Sequence, residues 1–120
     1  MMYKLLIYMV LILPTAAIAS TCTDDYIISG GRKIDLLPDF PFNIQQMNSS
    51  ISIQRGEFIL IFSNMKNISE RNLRIKRYSL EFLGDQYHFD LIHSLDDGIK
   101  RWEQYSTGVG SRGFGGVCRD

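Results

Sequence analysis

Apolar and polar positions alternate with a period of two along most of the chain beyond residue 25, the pattern of strands that keep one face in a core. Tyr26-Ile27-Ile28 runs up to Gly30-Gly31, and Ile34, Leu36 and Leu37 run up to Pro38-Asp39, which predicts two short strands closed by turn residues. Phe40, Phe42 and Ile44 then alternate with Pro41 and Asn43. Ile51 and Ile53 alternate with Ser52 and Gln54 before a turn at Arg55-Gly56. Phe58 to Phe62 is an unbroken apolar run, assigned by this pattern to a central strand covered on both faces and hence to the most buried segment.

Alternation resumes at Leu73 and Ile75, changes phase at Lys76-Arg77 and continues through Tyr78, Leu80 and Phe82. A β-bulge at the phase change would keep both apolar sets on one face. Tyr87, Phe89 and Leu91 form a further strand, with Gln86, His88 and Asp90 on its opposite face. Residues 94–107 fit two elements. Ser94 as an N-cap, Asp96 and Asp97 in the first turn and the spacing of Leu95, Ile99 and Trp102 predict a short helix near 95–106. The alternative is a hairpin turning at Asp97-Gly98, and the pattern leans to the helix. Gly108 to Gly116 holds five glycines in nine residues and predicts a loop returning to Cys118. With no internal repeat and no linker, the expected fold is one mainly β domain over residues 20–120, an antiparallel β-sandwich or barrel.

The first nineteen residues stand apart as a secretory signal peptide. Lys4 precedes the apolar stretch Leu5 to Leu13, Pro14 breaks it, and Ala17-Ile18-Ala19 supplies an A-x-A cleavage site, so the mature chain is expected to start at Ser20. The apolar stretch is about half of what a membrane span needs, and no span is expected in the mature chain. Export places the only two cysteines, Cys22 and Cys118, in an oxidising compartment where one intramolecular disulfide is expected, the alternative being free or intermolecular thiols. It also makes Asn48-Ser49-Ser50 and Asn67-Ile68-Ser69 candidate N-glycosylation sites. A hairpin around Arg55-Gly56 would set both asparagines at its open end, directing a partner to the Arg55 turn or to an uncovered sheet face.

Charge narrows the classes further. Thirteen basic residues balance thirteen acidic ones, and loss of Lys4 leaves twelve against thirteen, which excludes a whole-molecule nucleic-acid binder. Gly108-Val109-Gly110-Ser111-Arg112-Gly113 matches a dinucleotide fingerprint in letters only, because seven residues remain where a helix would be required. His88, Asp90 and His93 have ligand or acid-base chemistry, but on a strand His93 points away from the other two, so no metal or cofactor is expected. Arg71, Arg74, Lys76 and Arg77, beside Tyr78, make a basic run suited either to a sulfated glycan or acidic protein or to a solvated strand face. The expected function is that of a small secreted, glycosylated and disulfide-stapled binding protein for an extracellular protein or carbohydrate. The alternatives are a small secreted hydrolase using His88 or His93, and a structural extracellular component.

Overall fold

The computed structural model describes residues 18–30, 32–36, 41–107 and 112–120. The signal-peptide segment 1–17, Phe40 and the glycine-loop residues 108–111 lie outside them. Ten strands follow one another in the chain: β1 (Ile18–Cys22), β2 (Tyr26–Ser29), β3 (Arg32–Asp35), β4 (Phe42–Gln46), β5 (Ile51–Arg55), β6 (Phe58–Glu70), β7 (Leu73–Phe82), β8 (Asp85–Ser94), β9 (Lys100–Ser106) and β10 (Arg112–Arg119). Strands β4 to β10 form an antiparallel meander, and β1 joins β4 to β10 so that eight strands close into a barrel, with the β2–β3 hairpin added along β10. The expectation of a sandwich or barrel thus resolves to a barrel.

Closure rests on a short seam. β1 and β10 share the register pairs Thr21↔Arg119 and Cys22↔Cys118, and the second pair is the disulfide, between residues 96 apart in sequence. Backbone bonds from Thr23 N to the Val117 carbonyl (3.0 Å) and from Asp25 N to the Gly115 carbonyl (2.9 Å) extend the contact into β2. Ile18 and Ala19, which the expected cleavage removes, pair only with Gln46 and Gln45 of β4; Ser20 to Cys22 keep their own partners on that strand.

Inside, Trp102 is fully buried, stacked on Phe89 (5.6 Å between centroids) and edge-on to Phe42 (4.9 Å), with Phe62, Tyr78, Ile44, Ile51 and Ile53 around it. Its Nε1 donates to the Thr23 carbonyl at 2.9 Å. That approach explains the glycines of β10. A Cβ on Gly116 would lie 1.8 Å from the Thr23 carbonyl oxygen and 2.9 Å from Trp102 Nε1, and one on Gly115 would run into the Tyr26 ring. Residues 112–116 were expected in a loop; they are strand, and their glycines serve close approach rather than freedom.

Three further expectations are corrected. No helix occurs among the described residues: β8 and β9 form a hairpin through residues 95–99, with Gly98 at φ +71°, a conformation glycine supplies without steric cost. The Phe58 to Phe62 run is not the most buried segment, since Phe62 alone is buried and Phe58, Ile59, Leu60 and Ile61 are exposed. β6 pairs with β5 over this stretch, while its register with β7 begins at Ser63. The bulge lies in β6 between Ser63 and Lys66, where Asn64 has φ +55°, and β7 keeps unbroken register with β8 through Lys76-Arg77. The phase change is therefore a change of face. Ile75 sits outward in a ladder with Ile68 and Ile92, whereas Tyr78 and Leu80 point inward.

Replacing both cysteines by serine is expected to lower stability by about 2–5 kcal/mol. Gly116→Ala should lower it by about 1–3 kcal/mol through overpacking against backbone. Urea unfolding followed by the fluorescence of Trp102 measures both, and a Gly116→Ala midpoint equal to that of the parent would refute the close-packing account.

Candidate functional site: the open end of the barrel

The two ends of the barrel differ. At one, Arg55 points inward from the end of β5, its guanidinium 3.8 Å from the Phe42 ring centroid and 5.5 Å from that of Trp102. It holds Asp24 in a two-bond pair, 2.8 and 3.1 Å. Arg55, expected at a partner-docking turn, instead plugs this end and has its charge matched.

At the other end the phase change in β7 decides the chemistry. Because Tyr78 faces inward, Arg74 and Lys76 do too, and register carries their row around the wall. Ser69, Arg74, His93, Lys100 and Cys118 lie side by side on β6 to β10, and Asn67, Lys76, Leu91 and Trp102 form the next row down. All of these but Trp102 line a cavity of about 280 Å³ whose apolar lining includes Ile44 and Leu91. Lys100 is paired with Asp120, whose carboxyl is held below the usual range by that ammonium and by the Ser20 hydroxyl, which donates to it at 2.7 Å. Arg74 donates to the carbonyls of Leu73 (3.1 Å) and Arg71 (3.4 Å). Among the described residues, Arg74, Lys76 and His93 have no carboxylate within ion-pair distance.

The basic run is thus divided by the fold. Arg71 lies in the β6–β7 turn at φ +44°, Arg74 and Lys76 reach the cavity, and Arg77 points outward. Tyr78 belongs to the core. Outside, Arg77 grips Asp90 with two bonds of 3.0 Å, and the Tyr105 hydroxyl donates to the same carboxylate at 3.1 Å. Asp90 is buried despite its charge, and these partners are what make that tolerable. Hydrogen bonding to Asp90 raises the Arg77 pKa, and burial followed by the Asp90 charge pushes the Tyr105 hydroxyl up to about 12.

His88 sits beside this group, its Nδ1 3.0 Å from Ser79 Oγ and its ring 5.3 Å from that of Tyr105. His93, on the inner face, is separated from it by the barrel wall. No group of three metal-ligating side chains occurs among the described residues, and none of the three principal cavities borders Ser79 or His88. The Ser79–His88 pair was missed from sequence, because only the β7–β8 register sets the two residues opposite each other.

The asparagines of both sequons are exposed and lie at the open end. Asn67 borders the cavity, and the turn containing Asn48 is tied to β6 by a bond from Met65 N to the Ser49 carbonyl, 3.2 Å. No helix among the described residues is long and apolar enough to cross a membrane. Comparison of the chain with protein-family models, with curated proteins and with solved structures gives no match.

Burial, then the nearby Arg77 charge, lowers the His88 pKa below its ordinary value. The unfolded chain therefore takes up the proton first, so stability is full above the unfolded value of about 6.5 and falls as pH drops below it. His88→Gln should flatten the stability profile between about pH 7 and 5. Urea midpoints at several pH values check this, and an unchanged slope would reject the assignment.

Proposed function

We propose that this chain is an extracellular binding protein, exported through the signal peptide of residues 1–19, glycosylated at Asn48 and Asn67, and presenting the open end of its barrel to a ligand. The observation that carries the reading is the asymmetry of the barrel ends: Arg55 and Asp24 fill one, and the other holds a cavity lined by inward-facing cations and apolar side chains. Ligand sites are typically concave, mostly apolar and furnished with a few placed polar groups, and barrel mouths are a common place for them. The disulfide is compatible with an oxidising destination. An extracellular protein or glycan remains the expected class of macromolecular partner, and the exposed apolar segment Phe58 to Ile61 is a surface on which a protein could rest.

Hydrolysis has one observation in its favour, the 3.0 Å contact between Ser79 and His88. Against it, Asp90 is engaged by Arg77 and Tyr105 rather than by His88, so the orienting third group of a triad is absent from that pair.

Mass spectrometry of protein secreted from eukaryotic cells tests the reading. Under denaturing conditions the expected mass corresponds to a start at Ser20, a disulfide-linked chain and one or two enzymatically removable glycans. Under native conditions a stoichiometric guest should accompany the chain and leave when it unfolds. Free thiols with no glycan would remove the extracellular assignment, and ester or glycoside turnover abolished by Ser79→Ala would replace binding with catalysis.

A further inference from the structure

Resting on the binding reading above, we infer that the open end of the barrel takes a small amphipathic carboxylate, its anionic head between Arg74 and Lys76 and its aliphatic tail against Ile44, Leu91 and the Cys22–Cys118 disulfide.

Charge gives the head. Arg74, Lys76 and His93 occupy neighbouring inward positions, two levels of one wall, and no carboxylate among the described residues neutralises them. Lys100 completes the row, and its present partner is Asp120, a carboxylate lying where a guest's carboxylate would meet the same ammonium. Cations on β7 stand beside apolar positions of the same register rows on β8 and β10, with Ile44 of β4 also in the lining, an arrangement that favours a guest bringing a negative charge to one side of the cavity and apolar surface to the other. The guanidinium of Arg74 offers a planar fork suited to a carboxylate, and the Lys76 ammonium adds a point charge.

Volume gives the tail. At about 30 Å³ for a water-sized group, the 280 Å³ measured with Ile18 in place holds about nine such groups, enough for a medium-length aliphatic chain. Ile44 is almost wholly buried and Leu91 packs against the core, so this part of the lining is apolar and continuous with the core. Ile18 also borders the cavity, but it lies upstream of the expected cleavage site, and this part of the lining is apolar without it. Position restricts access as well. Asn67 is the register partner of Lys76 and borders the cavity, so a glycan there would narrow the approach and hinder a protein or long polysaccharide.

Calorimetric titration of the secreted, glycosylated protein with decanoate and with decan-1-ol tests the inference. Decanoate should bind with one-to-one stoichiometry, and the alcohol of equal chain length about tenfold more weakly or worse. Arg74→Gln combined with Lys76→Gln, both exposed positions, should weaken decanoate about tenfold and leave the alcohol unaffected. Equal affinity for acid and alcohol would overturn the inference while leaving a binding barrel in place. Absence of decanoate binding would overturn it too, and the native-mass experiment then decides separately whether the barrel carries some other guest. Should the double variant fail to fold, the acid-against-alcohol comparison on the parent protein still separates support from refutation.

Discussion

The structure depends on closing a sheet. Eight strands in sequence leave two open edges, and each edge is a row of unpaired backbone donors and acceptors unless the first strand meets the last. Here the meeting is brief, two register pairs between β1 and β10 and two further backbone bonds as the chain runs on into β2. The disulfide occupies one of those two pairs, so the covalent link stands on the seam itself rather than elsewhere on the surface. The interior follows from the closure. Trp102 reaches the Thr23 carbonyl only because Thr23 lies against β10, and it can lie there only because Gly116 has no side chain.

Much of this was legible in the residues. Period-two alternation marked the strands, the two cysteines admitted one intramolecular pairing, and the turn expected at Arg55-Gly56 falls one residue later, at Gly56-Glu57, with Arg55 the last paired residue of β5. What misled were signals that assume a flat sheet with one wet face. In a barrel both kinds of position recur on every strand, and near an open end the inward ones need not be apolar. Lys76 and Arg74 are exposed, as residues of a solvated strand face would be, but they also border the cavity, and Ile75 between them is the buried one. The glycines of residues 112–116 looked like a loop because composition cannot separate a need for freedom from a need for nearness. The helix expected near 95–106 had a suitable cap and spacing, but β9 supplies pairing to both β8 and β10, and that tertiary pairing outweighs the local preference.

The two faces of β7 and β8 show how one register can serve opposite ends. Outward, Arg77, Asp90 and Tyr105 satisfy one another, and every buried side-chain polar atom among the described residues has a partner. Inward, one residue away, Arg74 and Lys76 meet none of that matching charge among the described residues. Paired cations stabilise a wall, and unmatched ones at the rim of a cavity are available to an anion.

The exposed run Phe58 to Ile61 bears on how the protein behaves in a crowd. Four apolar residues of high strand propensity lie on the surface of a strand that is paired along β5, while its register with β7 begins only at Ser63. Such a segment is a template for another chain as much as a wall for its own. The charged neighbours Glu57 and Lys66 flank it without interrupting it. Four residues that contribute little to the core thus form an exposed apolar surface through which two copies of the chain would meet at high concentration, a contact separate from those that hold the barrel closed.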